Sequence, residues 1–466
     1  MREFTIAEVT KAVKGELING SGDGRVLKVC TDSREVLPGD LFFPLIGENN
    51  DGHDYLGQVF EKGCRSVIVS DPNKIPKVAF LSEGMQPDVI LVEDTTKALQ
   101  DLAAYYLRTL PLKHKVAVTG SVGKTSTRDM MYYIASMKYK TGRNVKNFNN
   151  GFGLPLSILE FAPDTEAAVL EMGMDNFGQI ETLARIVEPD IALITNIGIS
   201  HIENLGSREG ILRAKLEVTT CFDENSVLVV NSDCDMLCRA NTSGAYKLIA
   251  VGSSKENEYV VTDICDFGDK GIKYTLIHNA KSYTVNLNVP GAHNAFNATL
   301  AIAAGKEMGI DIETSVKGLS EAQLTEKRLN IKEKYGVKVI DDTYNACPAS
   351  VMSAINTLTK TEGGRKIAII GDMYELGNEA TAAHREVGKY AAEMKLDLVI
   401  AVGELAKGYA EGAKGLLPED RILYFDDKGK LLAEIDHLIE AGDVVLVKAS
   451  RGMKMEEIVK KILEDK

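Results

Sequence analysis

One stretch restricts this chain more than any other. Val116-Ala117-Val118-Thr119 is a short β-branched run. It feeds the loop Gly120-Ser121-Val122-Gly123-Lys124-Thr125-Ser126, and a helix-compatible segment from Arg128 to Met137 follows. A strand that turns through glycines into a helix N-terminus offers converging backbone N–H groups and a favourable dipole to an anion. Lys124 then reaches the β- and γ-phosphates of a nucleotide, and the Thr125 hydroxyl sits on magnesium. The full phosphate-loop pattern asks for a further glycine five residues before Gly123, where this chain has Val118. The competing reading is a glycine turn that merely caps the helix.

The rest of the chain fits around such a motif. At 466 residues it is too long for one ordinary core, and the length suggests about three domains. Residues 1–112 read as an N-terminal α/β domain, with Arg65–Ser70 as a buried strand. Residues 113–312 read as a central domain, a mainly parallel sheet with strands at Val116–Thr119, Glu166–Glu171, Ile191–Thr195, Ser226–Asn231 and Lys247–Val251. Alternation over Tyr259–Val289 predicts an antiparallel extension, closed by an Ala-rich helix over Asn294–Met308. Residues 313–466 alternate again, with strands at Lys338–Asp342, Lys366–Gly371, Leu398–Val402 and Val444–Val447, as a Rossmann-like doubly wound domain without a phosphate loop.

Charge and cysteines exclude several classes. A formal net charge of −13 argues against wrapping nucleic acid or lying on an anionic membrane. No stretch of about 18 apolar residues is present, so no membrane span is expected. Seven scattered cysteines without Cys-x-x-Cys pairs point to reduced thiols in a cytoplasmic protein rather than a metal site.

In open α/β sheets ligands sit beyond the carboxyl ends of strands, and several polar residues fall there. Glu171 ends one strand, and with Thr125 it makes a plausible magnesium site. Thr195-Asn196 closes another, with His201 six residues on; each has a bland alternative as a strand-end ion pair or loop residue. Asn147-Phe148-Asn149-Asn150-Gly151-Phe152-Gly153-Leu154-Pro155 reads as a rigid loop able to donate to anionic oxygens. Lys215, on a helix over Arg208–Thr220, reads by default as a solvated lysine. His293-Asn294 occupies a helix start, where capping is the ordinary explanation, whereas Asn297 can bind an adenine edge. Thr31–Arg34 and Asn50–His53 read as turns on spacing alone.

Assembled, these residues resemble the Mur ligases, the ATP-dependent amide ligases of peptidoglycan precursor synthesis, over nearly the whole chain. The family's variant loop Gly-[Thr/Ser]-x-Gly-Lys-Thr matches Gly120–Thr125 and accounts for the missing glycine. The resemblance implies ATP held by Gly120, Ser121, Val122, Gly123, Lys124, Thr125, Ser126, Asn294, Asn297, Arg328 and Asp342. It implies two Mg²⁺ sites built from Thr125, Glu171, His201 and a carbamylated Lys215, with Lys124, Asn150, His201 and Lys215 at the reaction centre. Ser33, Arg34, Asp51, Gly52 and His53 resemble the segments that hold a UDP-sugar end, which reverses the plain-turn reading. Asp341-Asp342-Thr343-Tyr344-Asn345-Ala346-Cys347-Pro348, Gly371–Gly377 and Val447–Met453 resemble the branch that adds D-alanyl-D-alanine. Tyr344, Asn345, Lys448, Ser450 and Arg451 would serve that dipeptide. Cys347 and Ala449 depart from the usual asparagine and glycine of that branch.

The implied substrates are UDP-N-acetylmuramoyl-tripeptide and D-alanyl-D-alanine, joined through an acyl phosphate by a monomer whose last domain closes on a hinge near residues 310–330. Two rivals stand beside this reading: a related ligase with another acceptor, such as a folylpolyglutamate synthase-like enzyme, and a nucleotide-binding regulatory protein without ligation.

Overall fold

The computed structural model describes residues 1–47, 49–76, 86–145, 147–323, 325 and 328–464. Its apolar runs become strands of three main sheets. Among the described residues the central sheet has nine strands. Their order is Lys281–Leu287, Ile272–His278, Tyr259–Asp266, Lys247–Gly252, Val227–Asn231, Ile191–Ile194, His114–Thr119, Ala167–Glu171 and Thr141–Arg143. Those from Tyr259–Asp266 onward are parallel, and the first two are the antiparallel extension. Burial on both faces explains the near-continuous apolar strands. Ala117, Leu170 and Ile194 turn to one core, while Val116, Val118 and Leu193 turn to another.

Strand order places the phosphate loop. The chain passes from His114–Thr119 out to Thr141–Arg143 and Ala167–Glu171 on one side, then crosses to Ile191–Ile194 on the other. The carboxyl end of His114–Thr119 is thus a topological switch point, where open sheets leave a crevice. Register sets Glu171 against Val118 and Ile194 against Thr119, so three polar strand ends meet there.

The first sheet, among the described residues, runs Glu16–Asn19, Asp88–Leu91, Ser66–Val69, Asp40–Phe42, Lys28–Cys30, with only Glu16–Asn19 antiparallel. The last runs Asn330–Lys334, Val337–Asp342, Val444–Lys448, Lys366–Gly371, Leu398–Val402, Ile422–Phe425, with Asn330–Lys334 antiparallel. Thr141–Arg143, Asn330–Lys334 and Ile422–Phe425 were not legible as strands. The first two lack an apolar run, and the third lies at a sheet edge. All seven cysteines are free thiols. No helix among the described residues is long and apolar enough to cross a membrane.

The two joints between units differ in kind. One apolar core runs without a break from Phe4 and Val9 through the helix Thr95–Thr109 into Leu154, Ile158 and Leu183. The joint to the last sheet is studded with ion pairs: Lys338–Asp269 at 2.7 Å, Lys270–Glu362 at 2.8 Å, Lys360–Asp266 at 3.3 Å and His201–Glu375 at 2.7 Å. The helix Ile312–Ser320 packs Ile312 and Leu319 into the central core, which leaves the connector to the last sheet beyond Ser320. Positions 324, 326 and 327 of the expected hinge lie outside the described residues.

Tyr106 illustrates the first joint: it is buried, and its hydroxyl donates to the Phe161 carbonyl at 2.6 Å. Tyr106→Phe leaves that carbonyl unpaired and should lower stability by about 1–2 kcal/mol, measured by urea unfolding.

Candidate active site

The loop is held open by its neighbours. Gly120 has φ of 145°, and a Cβ there would stand 1.9 Å from Thr195 Oγ1. Thr195 Oγ1 donates to the Val122 carbonyl at 2.5 Å, and Asn196 Nδ2 donates to it at 2.8 Å. Asn196 Oδ1 accepts from Val122 N at 3.0 Å, and Ser121 Oγ accepts from Gly198 N at 2.9 Å. Thr195-Asn196 is therefore the strap of the loop. The helix Lys124–Ser136 starts from Gly123, φ 88°, with no side-chain cap, so its first-turn N–H groups face the crevice. An uncapped start is what an anion site needs and what a merely capped turn would lack.

Lys124 Nζ folds back onto the carbonyls of Gly120 at 2.9 Å and Ser121 at 3.2 Å. Burial lowers its pKa, partly offset by Glu171. Glu171 is 1% exposed. Its Oε2 accepts from Thr125 Oγ1 at 2.8 Å, and its Oε1 accepts from Asn149 Nδ2 at 2.8 Å. A carboxylate and a hydroxyl side by side at a phosphate loop form the hard oxygen donor set that suits magnesium. Asn150, expected at the reaction centre, uses Oδ1 to accept from Gly153 N at 2.8 Å. Its neighbour Asn149 is the amide on Glu171.

A cleft of about 580 Å³ opens from this loop toward the last sheet. Its central wall includes Lys124, Asn150, Glu171, His201, Asn294 and Asn297, and its far wall Arg328, Asp342, Tyr344, Asn345 and Lys448. Arg328 Nε is buried without a hydrogen-bond partner, and its guanidinium lies 4.2 Å from the Tyr344 ring. Arg451 stands over the same ring at 5.5 Å. Asp342 pairs with Lys448 at 2.6 Å, and burial raises its pKa in spite of that partner. Lys448 also donates to the Asn345 carbonyl at 2.7 Å. Ser450 is buried and accepts from Tyr374 N at 2.8 Å.

Three expectations from sequence need correction. Lys215 is not a solvated lysine: it is 2% exposed, and burial together with Lys124 pushes its pKa well down. The helix His293–Glu307 has no side-chain cap; Asn294 Nδ2 donates to the Pro290 carbonyl at 2.7 Å, and Asn297 Nδ2 donates to Asn294 Oδ1 at 2.9 Å. The helix carrying Lys215 ends at Leu216 and finishes in a 3₁₀ turn, Glu217–Thr219. His201 sits at φ 63°, with Nδ1 2.7 Å from Glu375 Oε2 and off the line of a hydrogen bond. Glu375 itself has φ 64°. Arg128, Asp129 and Asn144 were missed from sequence, while Asn149 and Glu375 stand in the Asn-rich loop and the Gly371–Gly377 motif without having been singled out. Charged residues on a helix directly behind a phosphate loop were the available signal for the first two.

The N-terminal cluster does not line this cleft. His53 is buried, its Nδ1 2.7 Å from Asp51 Oδ1 and its Nε2 accepting from Ser70 N at 3.0 Å. Burial pushes Asp51 up, but Lys74 and the His53 groups outweigh it and hold it at about 2. Gly52 opens the 3₁₀ turn that carries His53. Lys62 donates to the carbonyls of Ser33 at 2.9 Å and Arg34 at 2.6 Å, while Arg34 forks onto Asp32.

A phosphate loop at a sheet's switch point, opposed across a cleft by a second doubly wound sheet, is the framework of a multidomain nucleotide-dependent ligase. The family descriptions agree: Mur ligase middle domain over residues 118–305, Mur ligase glutamate ligase domain over 327–451, and Mur ligase family catalytic domain over 26–107. The chain belongs to the Mur ligase family. It is 40% identical to the UDP-N-acetylmuramoyl-tripeptide–D-alanyl-D-alanine ligase of Bacillus subtilis, across 100% of this chain and 99% of that protein. The crystal structure of MurF from Acinetobacter baumannii superposes with TM-score 0.89 at 31% identity, covering 100% of both chains. MurF from Thermotoga maritima, solved in complex with ADP, has TM-score 0.79 at 28% identity, covering 93% of this chain and 96% of that one.

His293 gives the site a pH signature. It is half-buried with Nδ1 2.7 Å from Ser353 Oγ, and desolvation lowers its pKa from 6.5 to about 4. Between those values the unfolded chain binds the proton and the folded one does not, so stability falls as pH drops from 6.5 to 4. The loss should reach about 3 kcal/mol. His293→Gln should flatten that part of the denaturation profile.

Proposed function

We propose that this chain joins D-alanyl-D-alanine to UDP-N-acetylmuramoyl-tripeptide at the expense of ATP, releasing ADP and phosphate, in the cytoplasm. The observation that carries the reading is the buried Glu171, held by Thr125 and Asn149 beside Lys124, at the floor of a cleft shared by two sheets. The 40% identity across the whole chain with a UDP-N-acetylmuramoyl-tripeptide–D-alanyl-D-alanine ligase supports the choice of substrates over another acceptor. In this reading residues 1–112 hold the UDP-sugar through Ser33, Arg34, Asp51, Gly52 and His53. Residues 113–312 hold ATP, and residues 313–466 hold the dipeptide through Tyr344, Asn345, Lys448, Ser450 and Arg451.

The tripeptide's terminal carboxylate attacks the γ-phosphorus, ADP leaves, and an acyl phosphate forms. The dipeptide's free amine attacks the acyl carbon, and phosphate departs with the carboxylate oxygen. Phosphoryl transfer is mainly positioning and charge neutralisation. Lys124 and the uncapped first turn of its helix grip the terminal phosphates, and the Arg328 Nε supplies a further donor. Asn294, Asn297 and Asp342 hold the nucleoside. Thr125 and Glu171 would hold magnesium, which would supply positive charge to neutralise the phosphates. Closing the cleft keeps water from the acyl phosphate.

Lys215 has no hydrogen bond or ion pair among the described residues, and burial beside Lys124 disfavours its charged form. A free amine adds carbon dioxide: the N–C bond forms, one N–H proton leaves, and a carbamate results. Such a carbamate would offer oxygen donors, and His201 Nε2 a nitrogen donor, to a second magnesium.

Phosphate release should require ATP, UDP-N-acetylmuramoyl-tripeptide and D-alanyl-D-alanine together, and should vanish when any one is omitted. Release with a folate acceptor in place of the tripeptide, or nucleotide binding with no acceptor-dependent turnover, would overturn the assignment. Lys124→Ala should reduce kcat by about 10³-fold or more; near-normal turnover contradicts its role. Protein equilibrated with ¹³C-bicarbonate should show a carbamate carbon resonance that Lys215→Ala lacks.

A further inference from the structure

Two charged residues one turn into the phosphate-loop helix have no part in the chemistry above. Arg128 is 1% exposed and Asp129 is fully buried. Burying such a pair is unfavourable unless every charge is matched and hydrogen-bonded, and apolar side chains would serve helix packing as well. The pair holds the connector to the last sheet. Asp129 Oδ2 accepts from the Thr325 backbone N–H at 2.9 Å and from its hydroxyl at 2.8 Å. Arg128 Nη2 donates to the same Thr325 Oγ1 at 2.9 Å. Asp129 Oδ1 is held by Arg128 Nη2 at 2.6 Å and by Arg143 Nη1 at 2.8 Å.

The other end of the network is the nucleotide floor. Arg128 Nη1 donates to the Asn144 carbonyl at 2.7 Å and lies 3.7 Å from Glu171 Oε2. Asn144 in turn clamps the Glu171 backbone, accepting from its N–H at 2.9 Å and donating to its carbonyl at 2.9 Å. One guanidinium is thus shared between the carboxylate of the nucleotide site and the carboxylate that grips the connector.

We propose that Glu171, Arg128, Asp129 and Thr325 form a relay reporting nucleotide occupancy to the connector, with Asp129 as the positioning residue. This rests on the reading that a magnesium nucleotide binds beside Lys124. A cation drawn to the cleft side of Glu171 weakens its pull on Arg128. The guanidinium then bonds Asp129 and Thr325 more tightly, and Thr325 is held more firmly when ATP is in place.

Hydrogen exchange of the full chain, read on the peptide containing Thr325, tests this with magnesium-ADP as the probe. In the wild type, saturating magnesium-ADP should slow exchange of the Thr325 amide about tenfold. Thr325→Val keeps the amide but deletes the hydroxyl's two hydrogen bonds. It should cut the protection below about threefold while leaving ADP affinity by calorimetry within about threefold. Asp129→Asn, which folds less surely, should lose the protection entirely. Exchange unchanged by ADP in a wild type that binds it, or full protection retained in Thr325→Val, overturns the relay. Failure of the wild type to bind magnesium-ADP overturns the nucleotide reading as well.

Discussion

Glu171 is a carboxylate buried at the end of a central strand, and the site is arranged around meeting its demands. A buried charge is tolerated only when its lone pairs are matched. One oxygen is matched by Thr125, the hydroxyl that ends the phosphate loop, and the other by Asn149 from the Asn-rich loop. Arg128 stands 3.7 Å off. Loop, Asn-rich segment and helix are therefore registered on one side chain. That side chain is aligned with the loop because Glu171 pairs with Val118 across the parallel ladder.

The two interdomain joints explain how such a site can be both preformed and able to close. The first unit shares an apolar core with the central one, which fixes their arrangement. The last unit meets the central one through several ion pairs, such as Lys338–Asp269 and His201–Glu375, which screen and rearrange more readily than packed side chains. His201 and Glu375 both hold left-handed backbone, a local strain that such a cross-domain contact helps to sustain.

Much of this was legible in the sequence, for reasons of periodicity. The β-branched run into Gly120–Thr125 specified strand, loop and helix, and the alternation beyond it specified parallel sheets with an antiparallel extension. What was not legible depended on packing. Lys215 lies on a helix with a basic last turn, and only tertiary burial distinguishes it from a solvated lysine. His293-Asn294 has the composition of a cap, yet the chain enters that helix with Asn294 turned back to the Pro290 carbonyl. In the Asn-rich loop, composition cannot tell which amide faces the carboxylate; the turn geometry gives Gly153 to Asn150 and Glu171 to Asn149. Short edge strands such as Asn330–Lys334 carry charge outward and leave no hydrophobic trace.

The central claim is that the phosphate gripped at Lys124 is handed to a carboxylic acid before any amide forms. Acceptor tripeptide labelled with ¹⁸O in its terminal carboxylate decides this directly, with the released phosphate read by mass spectrometry. One ¹⁸O atom per phosphate released in step with the lengthened peptide is the expected result. Phosphate free of ¹⁸O, with its fourth oxygen drawn from solvent, would contradict the account.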